Sequence, residues 1–571
     1  LLKLKYKQFF LLPGLIVLVA IIIFPLLFTI RVSFSSWDVV KPGLDWFGGK
    51  NWGRLFEDMR FWESLARLSL MATGSVFIQY LVGFGLALLV WRNIILKRFI
   101  RVLFLVPMMT TPVIMSVIWR TILHESLGPA NDIIRILGFE PLSWLSTGPM
   151  AMVSVILVEV WQWTPFMFLL LLAGLMSLPN EPYMAAAIDG AGPFRTFFSV
   201  TFPLMAPISI GAILIRLIEA SKLMETVYVL TSGGPGTATE TSSYYIYIRG
   251  LRDYQIGYAA SLSLAYLVIM IISLTIIAKI LTRKIAQDWT MKSLYLVLKY
   301  LAILLWSSFV ALPFLWALTT SFKTSNGVTG GATYIPWLQY EPSLEGWKVL
   351  VRTGGQGINI VAPFISSAIV TLSASLISMV LGTLAAYGLS RFSYRLGFVK
   401  NSDITFFFIA QRIMPPIVLA IPFFLMLQFL GLLDTIPGLI LVYVALLLPI
   451  ATWVMVDFFN NVPPQIDEMA LIDGCNPIGA FVRVILPNSL PGIMVGGLFC
   501  VMFGWNDFFF AFTLTFTKTQ LLPVAVVALN SSVTPWWSLS ASALVSVAPL
   551  VIIAFVVERF LSSGNMAGAI R

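Results

Sequence analysis

Charge is what this sequence lacks first. Lys, Arg, Asp and Glu make up 11% of its 571 residues, while hydrophobic residues make up 58%. A soluble domain carries about 25% charged residues, because a water-facing surface needs them. A chain with less than half that share cannot clothe a soluble surface. That excludes a soluble enzyme, a nucleic-acid-binding domain and a disordered chain, and leaves a polytopic membrane protein. Histidine is nearly absent: His124 stands alone, and there are two cysteines. That set cannot build a zinc or iron site of the usual kind. His124 closes an apolar run in Leu-His-Glu-Ser and reads as a solvated loop residue rather than a proton relay. Cys475 falls in an expected loop and Cys500 in an apolar helix, so no disulfide framework is expected. The sequence begins at Leu1, so the natural start is expected upstream and no targeting peptide is read.

What is present is long apolar runs. A helix crossing ~30 Å of hydrocarbon needs about 20 mostly apolar residues. Such runs lie near 9–33, 65–91, 102–122, 149–176, 205–230 and 257–281, then near 295–320, 363–390, 404–430, 437–459, 489–514 and 539–559. They are unbroken rather than alternating, which excludes barrel strands. Basic residues orient them. Lys3, Lys5 and Lys7, then Arg92, Lys97, Arg98 and Arg101, then Arg283, Lys284 and Lys292, and finally Arg391, Arg395 and Lys400 all fall on one side if both termini are cytoplasmic. The first outer loop also carries Lys41, Lys50, Arg54 and Arg60, balanced by five acids. The net charge of +10 therefore reflects topology and needs no nucleic-acid partner.

The chain repeats itself. Asp189 and Asp473, Pro203 and Pro487, and Pro207 and Pro491 are each 284 residues apart, and both aspartates sit in Ile-Asp-Gly. A short polar joint near 285–291 separates the halves, giving expected domains 1–288 and 289–571. Whether they are a natural fusion or two joined polypeptides is left open. Pro182 and Gly190 frame one short helix in the repeated loop, and Pro464 and Gly474 frame its twin. A second short helix opens at Pro193 and at Pro477, the latter behind Asn476 as its N-cap. One such elbow alone reads equally well as a membrane-surface helix pair. Two at a fixed spacing favour docking onto a symmetric or pseudo-symmetric partner.

These residues resemble the membrane permeases of maltose-type (carbohydrate uptake) ABC importers. The family signature runs Glu-Ala-Ala, Asp-Gly-Ala, then Leu-Pro. Here it reads Glu468-Met-Ala470-Leu-Ile-Asp473-Gly474-Cys475 through Leu486-Pro487, and Met184-Ala185-Ala186-Ala187-Ile-Asp189-Gly190-Ala191 through Phe202-Pro203. Tyr228-Val-Leu-Thr-Ser-Gly-Gly-Pro235 and Trp505-Asn506-Asp507-Phe508 resemble further stretches of the two family subunits. The resemblance spans nearly the whole chain. It implies an all-α transmembrane fold of two homologous six-helix permease halves, the type I importer membrane domain. It also implies coupling helices near 181–191 and 465–475 that enter the ATPase subunits. Met184 stands where the family has Glu, so the two docking contacts should be unequal.

No Gly-x-x-x-x-Gly-Lys-Ser/Thr phosphate cradle occurs in the sequence, so no cofactor is expected in this chain. ATP and Mg are expected on two copies of a partner ATPase, and an extracytoplasmic carbohydrate-binding protein is implied to deliver solute. Intramembrane ionisable groups default to function. Arg216, Glu219, Lys222 and Glu225 are spaced by three, reading either as a self-neutralising ladder or as one wall of the path. Glu159, Trp163 and Phe166 share a helix face, suited to a sugar's apolar face and hydroxyl edge, or to plain aromatic packing. Gln411, Arg412, Asn506 and Asp507 complete the candidate pathway, with an Arg412–Asp507 buried pair as the competing structural role. The leading expectation is a paired importer permease in a bacterial inner membrane. The alternative is an ion-gradient-driven twelve-helix transporter, for which the elbows have no use. A membrane enzyme lacks clustered carboxylates or metal ligands.

Overall fold

The computed structural model describes residues 2–91, 97–283, 295–329, 333–351, 359–396, 399–529 and 535–562. The expected joint near 285–291 lies outside the described residues. The first half runs α1 (Tyr6–Ser33), α2 (Met59–Trp91), α3 (Lys97–Met109), α4 (Pro112–Ile122), α5 (Gly148–Ser177), α6 (Glu181–Ile188), α7 (Phe194–Ala220), α8 (Glu225–Leu230) and α9 (Ile256–Arg283). The second runs α10 (Tyr295–Ser321), α11 (Val361–Arg391), α12 (Asn401–Ala410), α13 (Pro416–Phe429), α14 (Ile436–Asn461) and α15 (Gln465–Ile472). It continues with α16 (Pro477–Asn488), α17 (Leu490–Asn506), α18 (Phe509–Leu514) and α19 (Trp536–Ser562). Short helices occupy several loops. Among the described residues the only ladder is Arg395–Leu396 against Val399–Lys400.

The twelve continuous runs are not twelve straight helices. Among the described residues nine helices are long and apolar enough to cross a membrane, or eleven if two bent pairs each count as one span. The third run bends by 108° between α3 and α4, and the eleventh is entered through a 76° bend between α16 and α17. The ninth splits into α12 and α13 around a turn at Gln411–Ile413. The fifth ends at Ala220, and the eleventh ends again at Asn506. Hydropathy averaged over a span sees none of this, because the few polar residues at a break, such as Lys222, Gln411 and Arg412, or Asn506 and Asp507, are outweighed by the apolar runs around them. Proline explains two of them. It clashes with a preceding helical turn and pushes the residue before it into extended backbone. Thr111 before Pro112 and Pro415 before Pro416 have ψ 121° and 134°.

The repeat reappears as matched geometry. Offset by 284, α6 matches α15, a π-helical turn at Phe197–Thr201 matches one at Phe481–Ile485, and α8 matches α18. The halves are interlocked: α1 packs on α11 and α13, while α10 packs on α3 and α4. Phe10 lies 4.8 Å from Tyr387 and 5.3 Å from Phe481, and Trp161 donates from Nε1 to the Phe309 carbonyl at 3.1 Å. Within each half, the longest helix contacts rest on a glycine, as close helix approach in lipid requires. A Cβ on Gly83 would lie 3.1 Å from Met167 of α5, and one on Gly382 only 2.6 Å from Ala451 of α14.

Candidate functional site

A cavity of about 200 Å³ lies where the halves meet. Trp163, Glu219 and Lys222 line it from the first half, and Gln411, Arg412, Asn506 and Asp507 from the second. An adjoining cavity of about 170 Å³ is lined by Glu159, Trp163, Arg216, Glu219, Lys222 and Glu225. Most candidate pathway residues are thus gathered at one place. Phe166 lines neither and packs against Met108, Met109 and Met502. The helix breaks bring these side chains together: Lys222 follows the end of α7, Asn506 ends α17, and Gln411 and Arg412 form the turn between α12 and α13.

The expected ladder on one helix does not form as read. Lys222 and Glu225 lie beyond the end of α7, and Arg216 pairs with a different helix instead. Its guanidinium is 1% exposed and donates to Glu159 Oε2 at 3.0 Å and to Gln79 Oε1 at 2.8 Å. Thr226 donates to the other carboxylate oxygen at 3.2 Å, and Gln79 returns a bond to the Glu159 carbonyl at 3.0 Å. The Trp163 ring closes the cluster, 4.8 Å from the guanidinium carbon. A buried pair is costly unless other groups share its donors and acceptors, and here Gln79 and Thr226 each take one. The one i,i+3 pair realised is Lys222 with Glu219, at 3.0 Å.

Arg412 does not face Asp507 as a pair. Its guanidinium lies 3.7 Å from Glu219 of the other half and 4.4 Å over the Phe503 ring. Asp507 instead accepts from the Tyr443 hydroxyl at 2.7 Å and from the Ala511 N–H at 3.3 Å. Two bonds cross between halves at the breaks. Lys222 Nζ donates to the Arg412 carbonyl at 2.5 Å, and the Thr111 hydroxyl donates to Asn506 Oδ1 at 2.9 Å. Backbone freed by a break needs partners inside a membrane. Gln162 supplies them for the third run, donating to the Pro107 and Thr110 carbonyls. Both amide atoms of Gln411 are buried without a hydrogen-bond partner among the described residues. Past the breaks, the 284-offset counterparts Tyr228 and Phe512 meet at 4.9 Å.

The two elbows lie at the other end of α5 and α14. Ala186 and Ala470 face inward, while Met184, Ala185, Asp189, Gly190, Glu468, Asp473 and Gly474 are exposed. Ile188 is 85% and Ile472 83% exposed, so each elbow presents a bare apolar tip. Gly190 and Gly474 end the helices at φ +68° and +88°, a conformation that glycine adopts without a Cβ penalty. Asn476 caps the next helix by accepting from the Gly479 N–H at 2.6 Å. One anchor escaped the sequence reading: Asp467, which accepts from Tyr387 and Arg391 at 2.7 and 2.8 Å. Its signal was only an extra acid beside Glu468. Gln79, Thr111, Thr226 and Tyr443 were missed as well, being ordinary polar residues inside apolar runs.

The family model described as "Binding-protein-dependent transport system inner membrane component" matches residues 79–290 and 378–564. The chain is 34% identical over 281 residues to the trehalose/maltose transport system permease protein MalF of Thermococcus litoralis, covering 48% of this chain and 94% of that protein. It is 32% identical over 253 residues to the sulfoquinovosyl glycerol transport system permease protein SmoG of Agrobacterium fabrum, covering 44% and 82%. A solved chain of a bacterial ABC transporter involved in the import of the acidic polysaccharide alginate aligns at TM-score 0.44 and 20% identity, covering 49% of this chain and 96% of that one.

Proposed function

This chain belongs to the inner-membrane components of binding-protein-dependent transport systems, and from that premise we propose that it is the complete permease pair of an ATP-driven carbohydrate importer. Each curated relative described above covers about half of it, which supports two permeases in one polypeptide. The single observation that carries the reading is geometric: two exposed elbows, offset by 284 residues, at one end of helices whose middles line a shared cavity. Family membership argues against the ion-gradient alternative.

In this reading the elbow end faces the cytoplasm of a bacterial inner membrane, with both termini on that side. Met184, Ala185, Ala186, Asp189 and Gly190, and Glu468, Ala470, Asp473 and Gly474, form the coupling helices. Each enters one of two ATPase copies, which hold ATP and Mg, so that this chain itself is no enzyme. A carbohydrate-binding protein delivers solute to the opposite face. Glu159, Trp163, Phe166, Glu219, Lys222, Glu225, Gln411, Arg412, Asn506 and Asp507 form the pathway. Trp163 and Phe503 offer apolar faces, and the free amide of Gln411 with the fork of Arg412 offers hydrogen bonds to hydroxyls.

Alternating access follows from what holds the halves together. When the ATPases close, the elbows approach and the halves rotate. The Lys222–Arg412 and Thr111–Asn506 bonds and the Tyr228–Phe512 contact are the cross-half interactions that such a rotation must break to open the outer side. The test is uptake of labelled trehalose or maltose into vesicles holding the chain, its ATPase and its binding protein. ATP-dependent uptake supports the reading, and uptake that persists with a hydrolysis-dead ATPase overturns it.

A further inference from the structure

Arg391 ties three helices into one knot at the elbow end of the second half. Its Nε donates to Asp467 Oδ2 of α15 at 2.8 Å, and its two terminal nitrogens donate to the Phe459 and Val462 carbonyls at 3.0 and 2.8 Å. Those carbonyls lie at the C-terminal turn of α14, where the Phe459 carbonyl also accepts from the Val462 N–H at 3.2 Å. Tyr387, one turn back on α11, donates to Asp467 Oδ1 at 2.7 Å. Asp467 is 8% exposed, so a charged group is held out of water while its neighbour Glu468 stands in it.

Folding an elbow does not require this knot. The counterpart of Asp467, offset by 284, is Tyr183, which donates to the Thr201 hydroxyl at 3.1 Å and lies 5.7 Å from the Trp91 ring. The two elbows nonetheless have the same helix bounds. A buried ion pair is weak evidence of added stability, because desolvation offsets much of the attraction. Its directional bonds do fix geometry, since a guanidinium fork holds three acceptors in one plane. The helix it grips also reaches the cavity. Tyr443, which bonds Asp507, lies on α14 sixteen residues before Phe459, or about 24 Å at 1.5 Å per residue.

We propose that Arg391 and Asp467 are positioning residues that make α15, α11 and α14 move as one body. A displacement of the second elbow is thereby delivered to Tyr443 and Asp507 at the cavity. The first elbow, joined through Tyr183 and Trp91, has a more compliant joint. The inference rests on the proposed function and concerns how one half transmits the ATPase stroke.

The experiment measures spin-label distances in the full chain, bound to its ATPase in nanodiscs, with Cys475 and Cys500 replaced by Ser. One labelled pair, Ser199→Cys with Arg483→Cys, exposed just beyond the tips, reports the elbows; a second, Ser232→Cys with Thr517→Cys, reports the segments past the breaks. Vanadate-trapped Mg-ATP is the probe. In the parent both pairs shift. In Asp467→Asn the elbow shift is expected to persist while the outer shift becomes roughly threefold smaller, and Asp467→Glu is expected to restore it. An undiminished outer shift in Asp467→Asn overturns the proposal. So does a lost elbow shift or lost ATPase, which would make Asp467 a folding or docking residue. A parent that shows no elbow shift at all would instead refute the proposed function.

Discussion

Each half has an arginine that ties three helices together, Arg216 buried beside the cavity and Arg391 half-buried at the elbow. In the first half Arg216 joins α2, α5 and α7 beside the cavity, while the elbow is tied by aromatic rings and hydroxyls. In the second half Arg391 joins α11, α14 and α15 at the elbow, while on the cavity side Asp507 is held by the Tyr443 hydroxyl and the Ala511 N–H. Positions make the contrast sharper. Offset by 284, Glu159 corresponds to Tyr443, Arg216 to Cys500 and Lys222 to Asn506. The duplicated backbone keeps its bends and caps while the ionic fastening moves from one end to the other. The first half is therefore fastened by ions beside the cavity, and the second at the elbow. Backbone landmarks and charge placement are separable properties of the same fold.

The most damaging way to break the comparison is to strip one knot of its arginine. Arg216→Met leaves Glu159 buried without its cation and should cost about 3–5 kcal/mol, measured as loss of monodisperse protein after heating in detergent. The double replacement of Arg216 and Glu159 by apolar residues should recover most of that. Cys500→Met, at the matching position of the second half, adds volume to a packed apolar site without stranding a charge. It should cost about 1–3 kcal/mol. A smaller difference separates the two helix crossings. Gly382→Ala should cost about 1–3 kcal/mol and more than Gly83→Ala, because its Cβ would sit 2.6 Å from Ala451 rather than 3.1 Å from Met167. The same melting assay ranks them.

The elbow helices were legible because what starts and ends them is local. Proline opens each helix, glycine closes it, Asn476 caps the next, and two copies give the offset. The cavity was half legible. Its residues were visible as polar atoms in apolar runs, but their partners were not. A spacing of three suggests contacts along one helix, and nothing in that spacing reports that α7 stops at Ala220 and leaves Lys222 to bond the other half. As a competing structural role, the sequence offers Arg412 a buried partner within its own half, Asp507. The packing of the two halves instead places Glu219 beside Arg412. Pairings across two interlocked halves depend on a packing that neither half encodes alone. Arg391 shows the same limit: its position reads as a cytoplasmic loop cation, and only the fold shows it spent on Asp467.

The smallest expected effect tests the comparison at the end remote from the elbows. In the second half, Asp434 accepts the backbone N–H groups of Phe516, Thr517, Lys518 and Thr519, clamping two loops together. Burial alone would raise its carboxyl, but those four donors outweigh it and hold the group below its ordinary value. A carboxyl depressed by folding contributes stability above its unfolded value, and loses it as pH falls through the folded one. The corresponding turn of the first half is held by hydroxyls: Thr239 pairs with Thr231 at 2.7 Å and donates to the Gly234 carbonyl at 2.9 Å. Hydroxyls do not titrate in this range. Amide hydrogen exchange at descending pH, corrected for the intrinsic rate, should therefore show residues 515–520 losing protection below about pH 4, while residues 231–239 keep theirs. Asp434→Asn should remove the pH dependence and leave the loop poorly protected throughout. Equal protection of both turns across that range would show that the loops do not share the asymmetry of the knots.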